Sequence, residues 1–243
     1  MKPKCGNLTR RAGFTLVELL VVMAIIGILA AMLMPALSKA KNQAAKATDL
    51  NNLKEIMVAV HVYALDNADV MPPANWDNGY GLGWLYNYDP TASGTATYNA
   101  SAGLIWPLLH QAKVYLCPND NLQMWHWSSH DGRIEQRRQR LSTYAMNGAV
   151  VGYMKMLAPL KLGAFRPEDC AFWETDETEP FYFNDGANYP PEGVSGRHAA
   201  GGIQGVFDGS ANYIKLTEWY EQVVDPNRNR LWCFPNSPDG RED

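Results

Sequence analysis

The distribution of apolar and polar positions divides this chain into three stretches. Residues 1–13 carry Lys2, Lys4, Arg10 and Arg11 and no acid. Residues 14–37 then form an apolar run containing one carboxylate, Glu18, and 16 consecutive residues from 19 to 34 lack a polar side chain. The 24 residues from 14 to 37 are enough to cross a hydrocarbon layer of about 30 Å at ~1.5 Å per residue. Beyond Pro35 the pattern becomes amphipathic. Ala40, Ala44, Ala47, Leu50, Leu53, Met57, Val60 and Ala64 recur at spacings of three or four, while Lys39, Lys41, Lys46, Asp49, Lys54 and Glu55 fall largely off that stripe. This periodicity predicts a helix of about 50 residues from Phe14, kinked near Pro35, whose later turns bury against a domain. Asp66-Asn67 and Pro72-Pro73 end it.

From residue 67 to 243 the chain is rich in turns and aromatics. Asn78-Gly79, Asp131-Gly132, Asp185-Gly186, Asp208-Gly209 and Asp239-Gly240 punctuate it. β-Prone runs at 170–174, 203–207 and 211–216 predict strands, the last two joined through a two-residue turn at Asp208-Gly209. Segment 91–103 reads as an exposed loop, and the basic stretch 133–140 as a solvated helix face or a contact with an acidic neighbour. The expected class is α+β: a long N-terminal helix on a small antiparallel sheet.

Composition narrows the function. Hydrophobic residues make up 47% of the chain and charged residues 19%, which excludes a disordered chain. With 21 basic against 25 acidic residues the net charge is −4, which argues against bulk nucleic-acid binding. Cys5 lies in the basic leader, leaving Cys117, Cys170 and Cys233. In an oxidising compartment these allow one intramolecular bridge among three pairings, and the reading leans to such a bridge.

The N-terminus admits three readings. A secretory signal peptide would use Ala36-Leu37-Ser38 as its small-residue cleavage site, but a carboxylate at the head of an insertion segment is costly. A plain uncleaved anchor tolerates Glu18 without giving it a role. The third reading rests on GFTLVE, residues 13–18, which closely resembles the processing motif of type IV prepilins. That resemblance implies cleavage between Gly13 and Phe14 by a prepilin peptidase, which also N-methylates Phe14. It assigns Glu18 to assembly, pairing with the Phe14 amine of a neighbouring subunit, and Pro35 to the helix kink. Cleavage would remove four basic residues and no acid, leaving 17 against 25 and a net charge of −8.

His198 precedes Asp208-Gly209 by ten positions, and this H-x9-DG spacing resembles the C-terminal signature of a group of prepilin-like proteins. Residues 51–73, Cys117-Pro118 and residues 142–147 look like the same group. The resemblance implies a pilin-like fold with a leader (1–13), a transmembrane assembly helix (14–37), its amphipathic continuation (38–66) and an outward-facing head (67–243). The chain would sit in the inner membrane with a cytoplasmic N-terminus. Its partners would be other pilin or pseudopilin subunits, the peptidase and an inner-membrane assembly platform.

His198 with Asp208 lacks an accompanying nucleophile motif, so both read as structural and no catalytic site is assigned. No cofactor is required. Asp176, Glu177, Glu179 and Asp185 form an acidic loop of the kind Ca²⁺ uses, without a fixed calcium spacing. The five histidines show no zinc-ligand spacing with the cysteines. Most of the eight tryptophans should be core, with Trp125 and Trp127 the exposed candidates. Two functions follow: a subunit of a pseudopilus or type IV-like filament supporting type II secretion, or a tethered module binding a glycan or surface.

Overall fold

A computed structural model describes residues 15–76, 81–93, 97–123 and 125–241. The Asn78-Gly79 turn and the Gly13–Phe14 junction lie outside the described residues. Two compact units divide the chain, Met1–Ala44 and Ala45–Asp243. Helix α1 (Leu16–Asp66) makes up nearly all of the described first unit and opens the second. Pro35 lies inside it.

Thr15 and Glu18 start α1 with a capping box. The Glu18 carboxylate accepts from the Thr15 N–H at 2.8 Å and hydroxyl at 2.7 Å, and the Glu18 N–H donates to Thr15 Oγ1 at 3.2 Å. Residues 15–44 are exposed throughout. From Ala45 onward α1 buries one stripe: Ala45, Asp49, Leu53, Ile56, Met57, Ala59, Val60 and Ala64. Asp49, read from sequence as off the apolar stripe, belongs to it: it stands four residues from both Ala45 and Leu53, and its side chain has a buried partner described below.

Two short antiparallel ribbons follow. β1 (Asn87–Tyr88) pairs with β2 (Tyr98–Asn99), and β3 (His126–Ser128) pairs with β4 (Arg133–Glu135). The segment read as an open loop therefore contributes a strand. Tyr98 packs edge-on against Tyr86 at 5.0 Å and donates to the Asn184 carbonyl at 3.1 Å. The basic stretch 133–140 is likewise no helix. It enters through β4, and Arg137 is buried, paired with Asp120 at 2.7 Å and lying over the Phe183 ring. Its partners come from distant segments, which charge patterning cannot reveal.

The main sheet contains β5 (Tyr144–Asn147), β6 (Cys170–Glu174), β7 (Ala187–Asn188), β8 (Gly201–Val206) and β9 (Ala211–Lys215), in the order β7-β5-β6-β8-β9. All pairs are antiparallel except β5–β7, which is parallel. A register shift between Cys170 and Phe172 in β6 lets consecutive Ala171 and Phe172 join the core beneath α1. Cys170 and Trp173 join a second cluster with Trp219 of α3 (a helix over Leu216–Val224; the four-residue α2 is Trp106–Leu109). The sheet is thus covered on both faces. Gly205 permits the close seating of α1, since a Cβ there would lie 2.9 Å from Met57 Cγ and Sδ.

The β8–β9 connection corrects the expected two-residue turn. Val206 and Ser210 close a three-residue loop, with Gly209 N–H donating to the Val206 carbonyl at 2.9 Å. Of the three loop residues only Gly209 has positive φ, at 90°, the arrangement of a turn followed by a glycine bulge. Six tryptophans, at 76, 84, 106, 173, 219 and 232, are buried or packed against the core. Trp125 and Trp127 are 63% and 61% exposed.

Candidate functional site

The assembly candidate is the first part of α1. Among the described residues, α1 is the one helix long and apolar enough to cross a membrane. Leu16, Val17, Leu19, Leu20, Ile25, Ile26, Leu29, Met32 and Leu33 are all exposed, so the apolar surface runs around the helix and carries Glu18 within its first turn. Sequence reasoning gave Glu18 a role between subunits and missed the one inside its own chain. The signal was present as T-x-x-E over residues 15–18.

The structure separates the two halves of the H-x9-DG signature. Asp208 is exposed and accepts the Ser210 N–H at 2.8 Å, a turn carboxylate. His198 is buried on the other side of β8. It is presented by a backbone turn in which Ala199 and Ala200 adopt left-handed φ of 56° and 65°, which costs an alanine about 1–2 kcal/mol each. No direct interaction joins the two signature residues; His198 instead meets three residues from other elements.

Its Nε2 lies 2.9 Å from Asp49 Oδ2, 3.4 Å from Cys117 Sγ and 3.6 Å from Glu174 Oε1. Asp49 comes from α1, Glu174 ends β6, and Cys117 opens a turn after a short 3₁₀ segment, Ala112–Tyr115. Asp49 and Glu174 are fully buried and Cys117 nearly so. The Tyr144 hydroxyl donates to Asp49 Oδ1, and the Ile203 N–H donates to Glu174 Oε2 at 2.8 Å. Arg197 reaches Glu174 at 3.7 Å and Asp120 at 3.2 Å. Burial opposes the imidazolium, but the facing Asp49 and Glu174 carboxylates outweigh it and raise His198 above its ordinary value. Burial pushes the Glu174 carboxyl up against the opposing pull of His198. Burial, then the Glu174 and Asp49 charges, push the Cys117 thiol up as well. Cys117 and His198 are 81 residues apart, and Asp49 and His198 149, so no local spacing announces the group.

The acidic loop has a different arrangement. Asp176 accepts from Thr178, Glu179 accepts from Ser129 and Phe181, Asp185 accepts from the Ala187 N–H, and Glu177 stands 3.9 Å from Arg197. The four carboxylates serve separate local turns and ion pairs. Among the described residues they form no convergent donor cluster. Cys117, Cys170 and Cys233 are all free and buried. That corrects the expected bridge: each sulfur is drawn into its own polar setting, Cys117 towards His198, Cys170 towards the Phe172 carbonyl and Cys233 towards the Asn147 amide, each at 3.4 Å.

The family described as the prokaryotic N-terminal methylation motif matches residues 8–34. Over 58 residues the chain is 40% identical to the type II secretion system core protein G of Pseudomonas aeruginosa, covering 24% of this chain and 41% of that protein. The match thus spans less than half of that relative's length. No solved structure matches the chain significantly. The chain is prepilin-like at its N-terminus, and its long helix with a small-sheet head is a pilin-like α+β architecture.

Proposed function

We propose that this chain is a membrane-stored filament subunit of the pilin type, assembling into a pseudopilus that supports type II protein secretion. The carrying observation is the methylation motif at residues 8–34 overlapping the exposed apolar first part of α1, residues 16–37, whose single carboxylate is Glu18. A helix apolar on all sides needs lipid or other helices around it, and a carboxylate within such a surface needs a partner. In this reading the subunit waits as a single-pass inner-membrane protein, its basic leader cytoplasmic and its head outside. A peptidase cuts after Gly13 and methylates Phe14. An assembly platform then extracts subunits so that Glu18 of one pairs with the Phe14 amine of the next. The work is mechanical and needs no catalytic group in the head.

Intact mass and N-terminal analysis of the protein recovered from membranes tests this. The expected chain begins at N-methyl-Phe14 when the prepilin peptidase is present and retains residues 1–13 when it is deleted. A chain beginning at Lys39 means signal-peptide export and ends the filament reading. Retention of residues 1–13 with an active peptidase leaves only a tethered domain.

One observation supports a second reading, a glycan- or surface-binding head. Trp125 and Trp127 are exposed, as is Ile134, the cross-strand partner of Trp127, and an exposed indole face suits a sugar ring. This reading expects polysaccharide retention that falls at least about tenfold in Trp125→Ala/Trp127→Ala, equivalent to about 1.4 kcal/mol. Equal retention by wild type and variant removes it.

A further inference from the structure

We propose that Asp49, Cys117, Glu174 and His198 form a closed, four-ligand Zn²⁺ site inside the head. One donor atom from each lies within 4.8 Å of all the others, and all four residues are buried. Metal–ligand bonds of about 2.0–2.3 Å in a tetrahedron place donors about 3.3–3.8 Å apart. The separations of 3.4 Å from His198 Nε2 to Cys117 Sγ and 3.6 Å to Glu174 Oε1 fall in that range, and the 2.9 Å to Asp49 Oδ2 needs a small outward movement.

The two carboxylates are each presented through one oxygen. Asp49 Oδ1 is held by the Tyr144 hydroxyl, and Glu174 Oε2 by the Ile203 N–H. The remaining atoms, Asp49 Oδ2 and Glu174 Oε1, point at the histidine. Glu174 Oε1 is fully buried and makes no hydrogen bond, only the longer ion-pair contacts to His198 and Arg197, a shortfall that buried polar atoms seldom show. The Asn119 N–H points at Cys117 Sγ from 3.4 Å, a donor that favours thiolate over thiol. Partners of this kind orient ligands in protein metal sites.

Charge and donor type select the ion. Two carboxylates and a thiolate bring three negative charges, and Zn²⁺ with the adjacent Arg197 guanidinium neutralises them. A sulfur and an imidazole nitrogen favour zinc over calcium or magnesium, which prefer six or more oxygens. Binding releases the Cys117 thiol proton and any proton on His198 Nε2 to solvent. Four protein ligands leave no open position, so the ion is structural. It ties α1 to β6, to the Cys117 turn and to the approach to β8. This gives His198 of the signature a role that does not depend on the filament reading.

Full-length protein purified in detergent, without added chelator, is assayed for metal by mass spectrometry, then stripped and titrated with Co²⁺. About one zinc per chain is expected. The cobalt form should show a thiolate-to-metal charge-transfer band together with the intense visible bands of four-coordinate Co²⁺. Cys117→Ser should lose the charge-transfer band, whereas Cys170→Ser, which alters a buried thiol outside the group, should keep it. Stripping should lower the thermal midpoint, and zinc should restore it. Folded wild-type protein that holds less than about a tenth of an equivalent of zinc and gives only six-coordinate cobalt spectra overturns the proposal. So does a charge-transfer band that persists in Cys117→Ser. If Cys117→Ser does not fold, the wild-type cobalt spectrum decides alone, because that band requires a sulfur ligand.

Discussion

Glu18→Gln is expected to abolish filament assembly while leaving a processed, membrane-inserted monomer. The substitution is chosen because a capping box accepts Gln at the third helical position as well as Glu. The bonds between residue 18 and Thr15 can therefore re-form, and the helix start is preserved. What disappears is the charge. In the proposed filament this would leave the Phe14 amine of the neighbour buried without a counter-ion, at a cost of ~3–5 kcal/mol. Recovery of filament by shearing or sedimentation should fall well beyond tenfold, while membrane-bound, methylated monomer accumulates. Thr15→Val makes the reciprocal change, removing the hydroxyl from the cap and keeping the carboxylate. It should cost the helix about 0.5–2 kcal/mol and still assemble. Wild-type filament yield from Glu18→Gln, with loss from Thr15→Val, would reduce Glu18 to a helix cap.

Asn147→Ala should destabilise the head by about 3–5 kcal/mol, from the usual ~1–3 kcal/mol for each buried polar group left unpaired. Asn147 ends β5 fully buried, and its amide donates to the Cys170 carbonyl at 2.9 Å and the Leu231 carbonyl at 3.1 Å. Its side-chain oxygen accepts the Ala149 N–H at 3.0 Å and caps the 3₁₀ turn that follows. Alanine leaves the Ala149 N–H without its partner, the Cys170 carbonyl with only a long contact to Cys233 Sγ at 4.0 Å, and the Leu231 carbonyl with only the Tyr153 hydroxyl at 3.5 Å. At ~2–4 °C per kcal/mol for a domain of this size, the thermal midpoint should drop by roughly 10 °C. Asn147→Asp should be no better, because its carboxylate would face the same two carbonyl oxygens. A shift of less than about 2 °C in Asn147→Ala would mean that water or a local rearrangement satisfies those groups.

Most of what could be read from the sequence came from periodicity and turn chemistry. The three- and four-residue spacing located α1 and the later half of its buried stripe, Leu53, Met57, Val60 and Ala64, whereas Ala40, Ala44 and Ala47 of the same spacing are exposed; the β-prone runs around Asp208-Gly209 located β8 and β9. Both signals are local, so one chain suffices to see them. The misreadings share a cause. Arg137 looked solvated because Asp120 and Phe183, which bury it, lie elsewhere in the chain. Asp49 looked like a surface charge although its spacing from Ala45 and Leu53 places it on the stripe; a carboxylate at such a position signals a buried partner. That partner, His198, is 149 residues away. The motif reading linked His198 to Asp208, whereas folding turns the first inward and leaves the second on the outer turn.

Apart from Glu18, residues 16–37 are uniformly apolar, and this bears on how the proposed assembly would be driven. Lipid tails and the flanks of neighbouring helices are equally oily, so moving this segment from bilayer to filament gains almost nothing from the hydrophobic effect itself. The transfer is close to neutral, and small terms govern it: the fit of side chains, the release of ordered lipid, and whether the lone carboxylate finds its mate. In the proposed filament, a subunit of this design would need only a modest external force to move in either direction.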